Sequence, residues 1–174
     1  MSSDKERVST ALEDILFLQK NIYEKIGLKC TSPKAEAESK EYSAFNFKIG
    51  ARNVVYRVAK ITPTKSGQFV TVWKRLRNGP IQPYDFSDEI DFFIISVTNG
   101  SLSGQFIFPK LTLLNKEIIS GNNKDGKRGF RVYSPWDVTL NKQAQKTQKW
   151  QLKYFLNLTG EVIDLERAGE LLIE

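Results

Sequence analysis

Histidine is absent from this sequence and cysteine occurs once, at Cys30. Ser-His-Asp and Cys-His triads, histidine-ligated metals and Cys/His zinc sites are therefore excluded. Carboxylates, lysine, tyrosine and serine are left to do any chemistry. Asp85, Asp88, Glu89 and Asp91 form an acidic cluster, whose hard oxygens suit a divalent cation and equally suit the capping of turn amides. The other pattern is cationic. Between Glu41 and Asp85 no acid occurs, while Lys48, Arg52, Arg57, Lys60, Lys65, Lys74, Arg75 and Arg77 are basic. A second acid-free run, between Asp137 and Glu161, holds Lys142, Lys146, Lys149 and Lys153. On a helix those spacings place four ammonium groups within roughly one sixth of the circumference. Like charges stacked this way cost about a few tenths of a kcal/mol per contact, a cost that a polyanion removes; a solvated helix face is the alternative. Lys127, Arg128 and Arg131 surround a predicted strand, with Trp73, Tyr133, Trp136 and Trp150 interleaved. These rings offer planar surfaces for base stacking or simply fill the core.

The elements that must position these groups follow from the apolar spacing. Leu12, Ile15, Leu16, Leu18, Ile22, Ile26 and Leu28 mark one stripe of a helix over 10–28, closed by Gly27. Thr31 to Glu41 carries no bulky apolar side chain and reads as a mobile connection, with Cys30 in the loop before it. From Tyr42 to Arg75 the period is two, which predicts three strands paired as an antiparallel meander. Ile90 to Val97 is apolar on both faces, a central covered strand, and Asn99-Gly100 turns it into a strand over 104–108. A helix over 110–120, a strand over 130–133, a helix over 141–156 and a short terminal helix in 161–174 complete the reading.

With 174 residues and a charge balance of +6, one domain is expected: an N-terminal helix and mobile linker over 1–41, a core over 42–156 and a C-terminal helix over 157–174. The fold class is α+β, a largely antiparallel or mixed central sheet flanked by helices. An unpaired cysteine, no signal-peptide run and no segment approaching roughly 20 apolar residues point to a cytoplasmic protein without membrane contact. The sequence leaves the oligomeric state open.

One run, Val58-Ala59-Lys60-Ile61-Thr62-Pro63-Thr64-Lys65-Ser66-Gly67-Gln68-Phe69-Val70-Thr71, closely resembles the MepB-like family of bacterial proteins. The likeness continues through Trp73-Lys74-Arg75, Asn78-Gly79-Pro80-Ile81, Asp91-Phe92-Phe93-Ile94-Ile95, Gly104-Gln105-Phe106-Ile107-Phe108-Pro109-Lys110, Gly126-Lys127-Arg128, Arg131-Val132-Tyr133 and Thr147-Gln148-Lys149-Trp150-Gln151. The resemblance implies a small cytosolic protein, encoded in some genomes beside a multidrug efflux pump and its repressor, with a core similar to type II restriction endonucleases.

Such nucleases hold a divalent metal with an Asp and a Glu on adjoining strands, and a Lys two residues after the Glu orients the attacking water. By that resemblance Asp91 stands at the acid position, Gln105 replaces the glutamate and Ile107 the lysine, while Lys110 is placed to reach back. A neutral amide holds Mg²⁺ weakly, so the expected centre is degenerate and no cofactor is called for, Mg²⁺ at Asp91 being the one candidate. The leading expectation is non-specific DNA or RNA binding through Arg57, Lys60, Lys65, Lys74, Arg75, Lys110, Lys127, Arg128, Arg131, Lys146 and Lys149. The alternatives are a metal-dependent nuclease using Asp91 and Lys110, and a protein-interaction module associated with efflux regulation.

Overall fold

The computed structural model describes the backbone of residues 2–173 and the side chains of residues 10–173. Helix α1 (Ser2–Leu18) runs on through a π turn, Gln19–Tyr23, and a 3-10 turn, Glu24–Ile26. Gly27, at φ 80°, ends the run in a left-handed conformation that side-chain-bearing residues resist. Strand β1 (Cys30–Ala35) follows, then β2 (Phe45–Ile49), β3 (Arg52–Val58), β4 (Lys60–Ile61), β5 (Gln68–Thr71), β6 (Trp73–Arg75), β7 (Ile81–Pro83), β8 (Phe92–Asn99) and β9 (Leu102–Pro109). The rest of the chain forms α2 (Lys110–Asn115), β10 (Gly129–Val132), α3 (Lys142–Gln151), β11 (Phe155–Asn157) and α4 (Leu165–Ile173).

Six strands make a mixed sheet in the order β1-β2-β3-β8-β9-β11, and the fold is α+β. Only β3 and β8 run parallel. Strand β8 is covered on both faces, which is why its sequence is almost continuously apolar. Phe92 and Ile94 face a layer built from Ala11, Ile15 and Leu18 of α1 and Ala168, Leu171 and Leu172 of α4. Phe93, Ile95 and Val97 face the opposite way, onto Val70 and Val72, onto Phe130 and Val132 of β10, and onto Leu113 of α2. A small sheet, β10-β5-β4, therefore roofs the second face of the large one.

Several expectations are corrected by this arrangement. The segment read as a mobile linker contains β1, which pairs antiparallel with β2 from Cys30↔Ile49 to Ala35↔Phe45. Its apolar content is low because it is an edge strand with only its first residue buried. Cys30 is thus a core residue rather than a loop thiol. The predicted meander is broken: β5 shares its period with β2 and β3 but pairs with β4 and β10, leaving β3's second edge to β8. Helix α2 stops at Asn115, and the C-terminal part of the 141–156 helix is drawn out as β11, where Phe155 and Leu156 pair with Phe106 and Gln105. The terminal helix and the β8–β9 hairpin stand as read.

Candidate functional site

The predicted cations separate into two groups. Arg57 does not belong to any surface: its side chain is fully buried beneath the small sheet, with Nη1 and Nη2 donating to Glu36 at 3.0 and 2.8 Å. Alternation along β3 turns Val54 and Tyr56 to one core and Val55 and Arg57 to the other, so this guanidinium had to find its carboxylate indoors. Lys74 is ion-paired with Asp88 at 2.6 Å and Arg75 with Glu38 at 2.9 Å. Lys110 donates to the Asp88 carbonyl at 2.6 Å and lies over the Phe86 ring. Of these four, Arg57 is withdrawn from the surface by burial, Lys74 and Arg75 are ion-paired to carboxylates, and Lys110 is engaged by neutral partners that leave its charge uncompensated. Lys60 is exposed and sits over the Tyr42 ring. Lys65, Lys127, Arg128, Lys146 and Lys149 are exposed and enter none of the salt bridges among the described residues.

What brings part of the second group together is α3. Asn141 caps it by accepting from the Ala144 N–H at 2.8 Å. Its inner face is stitched to β10 by amide side chains, Gln151 accepting from the Tyr133 N–H and donating to the Arg131 carbonyl. Gln148 donates to the carbonyls of Ser134 and Asp137. With those contacts fixed, the lysines are left on the outer face.

Two adjoining grooves of about 340 and 300 Å³ run along this helix and share Lys116, Gln143, Thr147 and Trp150 in their walls. Lys127, Arg131, Tyr133 and Asn141 line the first; Lys146, Lys149 and Lys153 line the second. Six cations thus border these two adjoining grooves, whose lining includes no acid. Glu117, next to Lys116, is occupied by Lys124, whose hydrogen bond and charge, with a smaller contribution from Lys127, hold its carboxyl below the ordinary value. Arg131 donates to Thr62 and the Ser66 carbonyl, neutral partners that leave its charge uncompensated. Lys116, which no sequence pattern marks, sits 5.4 Å above the Trp150 ring. Lys146 to Lys153 covers about 10 Å of chain, the axial rise of about three phosphates on one strand of duplex.

The stacking surfaces expected of the aromatics are already in use. Trp150 packs on Phe108 with centroids 5.4 Å apart, and Trp136 meets Phe155 edge-on at 5.8 Å. Tyr133 and Trp150 both line the groove and are half-buried, Trp150 with its ring already carrying Phe108 and Lys116.

The nuclease-type constellation is split by strand register. Ser96 pairs with Gln105 and Phe92 with Pro109, so Asp91 and Gln105 lie five residues apart along the hairpin, about 16 Å. Gln105 is buried, donating to the Ser96 hydroxyl at 3.0 Å, and cannot share a ligand with Asp91. Asp91 accepts from the Asn53 N–H at 2.7 Å, and Asp88 from the Asp85 N–H at 2.8 Å, so both cap backbone. Asp85 likewise accepts from the Ser87 hydroxyl and N–H, which hold its carboxyl below the ordinary value. Asp91, Lys110 and Glu170 do line one cavity of about 440 Å³ with Arg52 and Tyr154. Among the described residues, however, no three carboxylate or thiol side chains lie close enough to hold a metal ion. No described helix is long and apolar enough to cross a membrane.

A model of the MepB-like family matches residues 36–157. A crystal structure of MepB superposes with a TM-score of 0.72 at 40% sequence identity, covering 76% of this chain and 89% of that one. A bacterial homing endonuclease aligns at 16% identity over 85% of this chain and 90% of its own with a TM-score of 0.49, a level from which neither fold nor function carries over. No curated protein matches the chain.

Proposed function

The chain belongs to the MepB-like family, and from that starting point we propose that it binds nucleic acid without sequence preference, holding the sugar-phosphate backbone along α3. One observation carries this reading: six cations from three separate segments border two adjoining grooves that no acid lines. Such a concentration is self-repelling, and a polyanion relieves it by releasing its own condensed counterions. Lys127, Arg131, Lys146 and Lys149 do the gripping together with Lys116 and Lys153, while Lys65 and Arg128 extend the electropositive surface. Specificity is low because lysine ammonium groups address phosphates rather than base edges.

The scaffold binds without robust cleavage in this reading. In support, Asp91 is engaged in backbone capping and Gln105 is buried far along the hairpin. DNA and RNA share the backbone chemistry the groove addresses, and an acidic protein partner is the competing occupant.

The test is fluorescence anisotropy of a labelled duplex and a labelled single strand across a salt series, with and without Mg²⁺. Affinity falls steeply with salt. Lys146→Ala with Lys149→Ala removes two phosphate contacts and makes the slope of log K against log salt shallower by about 1.8. Lys74→Ala, whose wild-type ammonium is held by Asp88, leaves the slope unchanged. Affinity that does not respond to salt overturns the proposal.

A further inference from the structure

Between β10 and α3 the chain makes a short hoop, residues 134–141, that presents two aliphatic side chains to water. Val138 is 70% exposed and Leu140 88%. Single exposed aliphatics are ordinary. What is unusual here is how firmly this pair is held out. Within the hoop, Ser134 N–H donates to the Asp137 carboxylate at 2.6 Å and Asp137 N–H to the Ser134 carbonyl at 3.0 Å. From α3, Gln148 bonds both ends of that turn and accepts from the Thr139 hydroxyl, and Gln145 donates to the Thr139 carbonyl. From the β4–β5 loop, the Ser66 hydroxyl donates to the Val138 carbonyl at 2.5 Å. The backbone carrying the two side chains is thus fixed from three directions, and little ordering entropy remains to be lost on binding.

The surroundings name the occupant. Asn141, the next residue after Leu140, lines the cationic groove, and Lys142 follows it in the chain. Ser66, bonded to Val138, lies between Lys65 and Gly67, and its carbonyl accepts from Arg131. The acid within the hoop, Asp137, is turned onto the Ser134 N–H and half-buried, and that burial raises its carboxyl above the ordinary value. Exposed apolar side chains on a rigid hoop that runs directly into Asn141 of the groove wall adjoin the place where a strand bound along that groove would carry its bases.

We propose that Val138 and Leu140 form an apolar wedge that enters the base stack of a duplex whose phosphates lie along the lysine groove of α3. The inference rests on the nucleic-acid reading above and adds the mode of binding: the wedge partly unstacks one base step and kinks the duplex, a deformation offset by longer contact with the lysines. The wedge thereby adds to the sequence-independent phosphate grip a mild bias toward pyrimidine–purine steps, which open most readily, although no base edge is read.

The experiment uses a duplex carrying 2-aminopurine, which brightens when its neighbours unstack, and compares the full chain with the Val138→Ser/Leu140→Ser double variant. Both positions are exposed, so the variant should melt where the parent does. The parent brightens the probe; the double variant binds with an unchanged salt slope, about tenfold more weakly, and leaves the probe dark. A probe that stays dark on salt-dependent binding of the parent overturns the wedge while leaving the phosphate grip standing. Equal brightening by parent and double variant also overturns it. Absence of salt-dependent binding overturns both the wedge and the reading beneath it.

Discussion

Replacing Glu36 by alanine strands a positive charge inside the protein, and the structure fixes the scale of the damage. Arg57 is fully buried and donates through both terminal nitrogens to Glu36, with further bonds to the Tyr56 carbonyl and the Tyr84 hydroxyl. Its Nε has no partner, and its guanidinium carbon lies 5.6 Å from the Phe93 ring centre. Breaking a buried pair from one side costs about 3–5 kcal/mol, which for a chain of this length lowers Tm on the order of 10 °C. Thermal unfolding followed by circular dichroism measures it directly. Adding Arg57→Met removes the stranded charge and recovers part of the loss, so the two substitutions are strongly non-additive in a double-mutant cycle. A Glu36→Ala penalty below about 1 kcal/mol, the value of an exposed ion pair, would refute the assignment of Arg57 to the interior.

Burial pushes the Cys30 thiol up to about 11 from an ordinary 9.0, so iodoacetamide at mildly alkaline pH should label the native protein far more slowly than the guanidinium-unfolded chain; equal rates would contradict the placement of Cys30 in the core. The same shift sets a sign for stability. The unfolded chain gives up the Cys30 proton near 9.0 while the native state keeps it to about 11, so this contribution is whole below the lower value and lost as pH rises through the upper. Tyr23, Tyr56 and Tyr84, all raised above 10.0 mainly by burial, act in the same direction at still higher pH. Denaturant midpoints should therefore fall steadily on the alkaline side, and a flat profile would contradict the burial of these groups. Gly104→Ala should cost about 1–3 kcal/mol, because the added methyl meets the Phe155 ring and comes 2.9 Å from the Leu156 carbonyl; a melting curve superimposable on the parent's would show that β11 yields freely.

Local periodicity made the lysine face of α3 and the covered strand β8 legible, since each pattern reports the environment of its own element. Pairing was not legible, because strands with the same period of two are interchangeable until the three-dimensional contacts choose among them. Nothing in β5 says that its partners are β4 and β10 rather than β3. Strand β11 was hidden for a related reason: Leu152 and Phe155 continue a helical spacing, and only the vacant edge of β9 draws the chain out straight. Of the cations that line the grooves along α3, charge density singled out Lys127, Arg131, Lys146 and Lys149. It could not separate them from Arg57, Lys74 and Arg75, whose carboxylates come from distant positions: Glu36 is 21 residues from Arg57, and Glu38 is 37 from Arg75. Lys116 carries no signal in its neighbourhood; its place in the groove wall, over the Trp150 ring, exists only in three dimensions.

The parallel contact between β3 and β8 has a kinetic meaning. Residues 59–91 must loop out before the two strands can meet, and closing so long an excursion comes before the contacts that reward it, which favours refolding on a slow timescale for a chain of this size. Strand β10 can seat itself only on β5, a piece of that same excursion, and α3 in turn is stitched to β10. A polypeptide halted before residue 142 already holds both strands of the β8–β9 hairpin yet lacks α3. The lysine-bearing wall of the groove is therefore among the last parts of the molecule to be put in place.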